Sequence, residues 1–259
     1  MIFKQKAKLT TSKNGEAEEN AYEYTFVVKP KGCDETSNVI YDKQLKIYFE
    51  NPSGIIYFYE VEVTNVRLNL CQRLKKSTNF NRKLFYRYDF IRPSVNAKGQ
   101  VISISNKAEL KQNWAKLKTR METDHKGNIV KEYLSNIDRE FTINDSIYPA
   151  INQYLYFGLL FLNIPKSHSD DWVGKRRIEF SPYEHEKFEE ITTVSSSNRK
   201  NVTYHIQGNT LENSSTYIQN YSGYAIKPVN DNLVSRIEIS ASFIKDDYEN
   251  QWEFELYKI

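Results

Sequence analysis

The sequence predicts an α+β fold: a large curved antiparallel sheet, half-barrel-like, built from amino- and carboxyl-terminal strands and packed over about three central helices. Three observations lead there. Period-two runs with one apolar face fill the first part of the chain and return near its end; such alternation marks strands that bury a single face. Helical periodicity is confined to the middle, and strands and helices that segregate rather than alternate argue α+β. No Pro/Gly/Ser-rich linker separates the halves, so residues 1–259 read as a single domain, strand-rich over 1–105, helical over 106–164 and strand-rich again over 172–259.

In order along the chain, "AYEYTFVVK" places Tyr22, Tyr24, Phe26 and Val28 on one face. "GIIYFYEVEVTNV" alternates Val61 and Val63 with Glu60, Glu62 and Thr64. "KLFYRYDF" reads as a strand with Leu84, Tyr86, Tyr88 and Phe90 opposite Phe85, Arg87 and Asp89. "VNAKGQVISIS" is a hairpin signal around Ala97-Lys98-Gly99. The period then changes. Asn106 is placed to cap a helix, with Glu109 in the reciprocal position. Leu110, Trp114, Leu117 and Met121 form its apolar stripe, and Gly127 would end it. A second helix gathers Ile129, Tyr133, Leu134, Ile137 and Phe141 on one side. A third is predicted over Ile147–Pro165, capped by Asn144, with Pro149 in an early turn. Strands resume with "RRIEFS", "SRIEISASFI" and "QWEFELYK"; "SSSNRKN" and "GNTLENSS" read as loops. This order is similar to bacterial half-barrels that wrap a curved antiparallel sheet over a few helices. The resemblance is one of pattern, and it implies no function.

The uncharged stretch "IYPAINQYLYFGLLFLNIP", Ile147–Pro165, nearly has the length of a membrane span. Its content argues otherwise: Asn152, Gln153 and Asn163 are amides, Pro149 and Gly158 interrupt it, and Tyr148, Tyr154 and Tyr156 lie within it. Its flank "KSHSDD" lacks an orienting basic bias. A buried central helix is expected. The functional alternative is a cavity lining for an apolar ligand, with Leu155, Phe157, Leu159 and Phe161 as the candidate residues.

Composition narrows the function classes. Net charge is +3 from 36 basic and 33 acidic residues, so no overall affinity for polyanions follows. Aromatics reach 14%, which favours strands. Two cysteines, Cys33 and Cys71, cannot make a disulfide framework and are expected as reduced thiols. The amino terminus has no apolar signal region, so a cytoplasmic protein is expected, although a removed signal peptide would leave the same start. The four histidines form no HExxH or His/Cys pair. His168, Asp170 and Asp171 in "SHSDDW" are a weak metal-ligand group, and His185 between Glu184 and Glu186 reads as a charged turn. There is no GxSxG, Walker A loop or GxGxxG. No enzyme, cofactor or metal is therefore expected.

Basic residues gather at Arg73, Lys75, Lys76, Arg82, Lys83 and Arg87, interleaved with aromatics. The first reading is a plain solvated face; behind it come a protein-docking patch and then a single-strand nucleic-acid surface. An opposed acidic cluster lies at Asp246, Asp247, Glu249, Glu253 and Glu255. The expected function is a non-enzymatic intracellular protein-binding protein, such as an adaptor, a secretion accessory or a toxin-neutralising partner. The alternative is a carrier of an apolar ligand held between the curved sheet and the central helices.

Overall fold

A computed structural model describes residues 21–31, 40–50, 56–69, 78–96, 100–143, 146–151, 157–162, 171–179, 187–211, 217–231, 233–245 and 248–259. Strands β1 (Ala21–Lys31), β2 (Ile40–Glu50), β3 (Ile56–Asn69), β4 (Phe90–Ile91), β5 (Pro93–Asn96) and β6 (Val101–Ile104) precede the central helical segment that begins at Lys107, with one short helix inserted between β3 and β4. Strands β7 (Val173–Glu179), β8 (Lys187–Ser197), β9 (Asn201–Thr210), β10 (Tyr217–Pro228), β11 (Arg236–Lys245) and β12 (Tyr248–Lys258) follow them. All pair antiparallel in one sheet, in the order β6-β5-β3-β2-β1-β12-β11-β10-β9-β8-β7, with β4 beside β3. The two halves join where β12 lies on β1, Phe254 opposite Val28 and Leu256 opposite Phe26. The helical segment therefore carries the chain from one edge of the sheet, β6, to the other, β7.

Apolar alternation places the core on one face. Ile237, Ile239, Ala241 and Phe243 of β11 are all buried, and Ile237 and Ile239 stand opposite buried Leu256 and Phe254 of β12. On β3 the buried positions run Val61, Val63 and then Val66. That change of parity coincides with a register shift against β2, where Gln44 faces Asn65 and Leu45 faces Val63. Thr64 is the extra residue of a bulge, and a bulge moves the following side chains to the other face. The hairpin around 97–99 holds: Asn96 and Gln100 bond through backbone and side chains.

The helices correct several expectations. "KLFYRYDF" is not a strand. Helix α1 (Thr78–Phe85) runs into a 3-10 turn over Tyr86–Tyr88. The buried residues are Leu84, Phe85, Arg87 and Tyr88, spaced as on a helix face. A dense aromatic run fits both periods, and tertiary contacts decide. Helix α2 (Lys107–Asp124) buries Leu110, Trp114 and Met121 as predicted, with Leu117 packed beside them. Asn106 does not cap it through its side chain. Its Oδ1 accepts the Arg92 N–H at 2.9 Å and its Nδ2 donates to the Phe90 carbonyl at 3.0 Å, pinning the β4–β5 connection to the start of α2. Gly127, with φ of 128°, opens α3 (Asn128–Thr142) rather than closing α2. Leu134, Ile137 and Phe141 of α3 are buried, but Ile129 is 84% exposed and Tyr133 43%. Val130 packs on the core in their place. Trp114 stacks on Phe141 at 5.3 Å, and Phe141 lies 5.6 Å from Tyr88.

The long third helix does not form over the described residues. Helix α4 is only Ile147–Ile151. Residues 157–162 make a turn, in which Phe161 N–H donates to Phe157 O at 3.2 Å and Leu162 N–H to Leu159 O at 3.3 Å. Aromatic residues and Gly158 are weak helix formers, so apolar content alone did not secure a helix here. The burial reading holds: Phe157, Leu159, Leu160, Phe161 and Leu162 are each 8% exposed or less. Among the described residues no helix is long and apolar enough to cross a membrane. Cys33, Cys71, Asn144, Leu155, His168 and His185 lie outside the described residues.

Candidate functional site: a buried arginine and an apolar turn inside the curl

The turn 157–162 shows how far the sheet bends. The Phe161 ring lies 5.2 Å from Tyr59 on β3, and the Gly158 carbonyl accepts Arg176 Nη1 on β7 at 2.6 Å. In the sheet, β3 and β7 are eight positions apart. At roughly 4.8 Å per strand, a flat sheet would separate them by about 38 Å. Side chains stand off a sheet rather than along it, so they cannot close such a gap. One six-residue turn reaches both because the sheet curls around it.

At the β7 end of the curl, one cross-strand row carries a buried polar group. Arg176 on β7 stands opposite Glu190 on β8, and Glu190 opposite Gly208 on β9. Arg176 Nε donates to Glu190 Oε1 at 2.5 Å, and the Tyr221 hydroxyl on β10 donates to Glu190 Oε2 at 2.9 Å. Tyr221 reaches across β9 because position 208 has no side chain. A Cβ there would fall 2.5 Å from Tyr221 Cγ, well inside van der Waals contact. Phe188 and Tyr221 both pack against Phe243, at 5.2 and 6.5 Å, closing the group off from the neighbouring strands. The Arg176 and Glu190 side chains are 8% and 1% exposed.

Burial dominates the electrostatics. It pushes the Glu190 carboxyl up, against the Tyr221 hydrogen bond, and pushes the Arg176 guanidinium down. The Tyr221 phenol is raised first by burial and then by the Glu190 charge. Contact at 2.5 Å keeps the guanidinium and carboxylate charged against each other. The pair as a whole is neutral, and Nη1 is a strong donor aimed at a carbonyl. The surface over it is a crevice lined by Leu162, Gly174, Lys175, Arg176, Glu190 and Thr192, with no enclosed room for a water molecule.

The candidate cavity residues Phe157, Leu159 and Phe161 all lie in this turn. Of the six candidate basic-patch residues, Arg82, Lys83 and Arg87 are described. Arg73, Lys75 and Lys76 lie outside the described residues, and Arg82 is exposed. Lys83 is bound to Asp124 at 2.6 Å. Arg87 is turned inward, 8% exposed, with Nε and Nη2 on Glu140 at 3.0 and 3.1 Å, where the Tyr88 hydroxyl also donates. Among the described residues no group of His, Cys, Asp and Glu is placed to hold a metal ion. Sequence reasoning missed Glu190 because the charged residues around His185 read as a turn. The available signal was parity: Phe188, Glu190 and Thr192 share one face, and all three are buried.

Fold and site together define an α+β protein whose antiparallel sheet curls round an apolar turn and one buried ion pair. No family model matches the chain, and no curated protein matches it. Among solved structures it is similar to a chain from a study titled "Lipid-protein interactions in lipovitellin", with a TM-score of 0.47 and 8% identity, over 92% of this chain and 25% of that one. The chain thus spans a quarter of the length of that chain, and a likeness at this level carries no argument about function.

Proposed function

We propose that this chain is a non-catalytic binding protein that holds an apolar ligand inside the curl of its sheet. The observation that supports it is the turn 157–162. It touches both arms of the sheet, its six residues are all buried, and Arg176 on β7 donates to its Gly158 carbonyl. Burial of apolar surface is non-directional and scales with area at about 25 cal/mol per Å².

The test is native mass spectrometry of the protein purified without detergent, before and after organic extraction. The expected result is a mass excess of a few hundred daltons that extraction removes and re-exposure to apolar chains restores. A mass equal to that of the chain alone, with no uptake on exposure, sinks the reading. A partner protein is the second reading. It is favoured by Ile129 and Tyr133 on α3 and Ile143 just beyond it, all exposed, with Phe80 6.0 Å from Tyr133. In the same spectrum it would appear as a protein-sized increment.

A further inference from the structure

The two edges of the sheet are unlike. At one end, β6 has four residues and a register shift against β5 between Ser94 and Val95, and short or bulged edges resist further pairing. At the other end, β7 has seven residues, all in unbroken register with β8, and no proline. In an antiparallel ladder, alternate residues point their N–H and C=O away from the partner strand. Among the described residues β8 is the one strand paired with β7, and no backbone hydrogen bond from a turn or loop reaches it. An edge of this kind is a template for one more strand.

Side chains on the outer face of β7 select the strand that fits. Val173 is 51% exposed, and Lys175 and Arg177 are exposed at the same parity. Arg176 is turned the other way, onto Glu190. Among the described residues neither Lys175 nor Arg177 forms an ion pair, although Glu189 of β8 stands opposite Arg177. A second copy of β7 paired antiparallel in full register would set Lys175 of each copy against Arg177 of the other, and like charges directly opposite destabilise a ladder. A strand with carboxylates at those two positions and an apolar residue opposite Val173 meets the same edge with attraction. We infer that β7 is a docking edge for an extended acidic segment of a partner protein. The segment adds antiparallel to β7, with carboxylates at alternate positions facing Lys175 and Arg177. Backbone hydrogen bonds supply the affinity, and the cations supply the choice of sequence.

The experiment titrates the full chain into a fluorescein-labelled peptide of the length of β7, in which glutamate alternates with threonine and a valine stands near the carboxyl end. Fluorescence anisotropy at low salt is the readout. The peptide should bind, and Lys175→Ser with Arg177→Ser should weaken it about fivefold, as the loss of two cross-strand charge pairs implies. Exchanging its glutamates for lysines should weaken it further. Methylating its backbone nitrogens at alternate positions should weaken binding about tenfold or more for one parity and leave the other unchanged, because only one set of amides faces β7. If the double variant does not fold, the peptide series on the unmodified chain decides. No binding, or a lysine peptide bound as tightly, overturns the proposal. Equal binding of the two methylated peptides overturns strand addition in favour of charge contact alone. An oligothymidylate bound as tightly as the peptide would make the edge a nucleic-acid surface, and a dimer of the chain that the peptide dissociates would make it a contact between copies; either overturns the acidic partner.

Discussion

Glu190→Leu is expected to destabilise the protein by about 3–5 kcal/mol, because it leaves the Arg176 guanidinium buried without its counter-charge. The two side chains are 8% and 1% exposed, so solvent screens the loss poorly. Arg176→Met should cost less, since Glu190 can take up a proton and keep its contact with Tyr221. Arg176→Met with Glu190→Leu should recover most of the loss, because a buried ion pair replaced by apolar residues of like volume is often close to neutral. Urea midpoints for the four proteins of this cycle measure the coupling. Additive single effects would show that the pair does not act as a unit.

Trp114→Ala is expected to cost about 3–5 kcal/mol, the usual range for emptying a fully buried aromatic position. Trp114 is 1% exposed, stacks on Phe141 with ring planes 10° apart, and donates its indole N–H to Asp138 at 2.8 Å. It links α2 to α3, and through Phe141 it reaches Tyr88 on the 3-10 turn against β3. Trp114→Phe should cost less, about 1–2 kcal/mol, because most of the ring packing is kept while the hydrogen bond to Asp138 is lost. Asp138 keeps Lys118 at 3.2 Å in that variant. Equilibrium urea unfolding followed by circular dichroism checks both. Equal losses for the two variants would mean that the Asp138 bond, not the ring, carries the site.

The strands were legible wherever one face meets water. On β11, Ile237, Ile239, Ala241 and Phe243 alternate cleanly because one side of the sheet is solvated. Helix α2 was legible for the same reason at a period near 3.6. The errors fall where polarity ceases to report direction. In Lys83–Phe90 aromatics sit on every side, and both periods fit the run. In Ile147–Pro165 nothing is charged, so burial was evident while the turn over 157–162 was not. The ion pair was hidden because charged residues are usually read as outward-facing. Arg176 and Glu190 are adjacent only after β7 and β8 pair, and Tyr221 joins them from two strands away. Curvature was equally invisible, since it is a property of the whole sheet and not of any one strand.

The most direct measurement of the proposed function is hydrogen exchange at the 157–162 amides, with and without a bound apolar chain. In the structure Phe161 and Leu162 donate within the turn, to Phe157 and Leu159, and the segment is buried. Their exchange should therefore be slow in the empty protein. If ligand and turn compete for one volume, filling the site should speed exchange at Phe161 and Leu162 by about tenfold or more, while the amides of β11 stay protected. A bound ligand that leaves these two amides as slow as before, or slower, would contradict a ligand seated in the place of the turn.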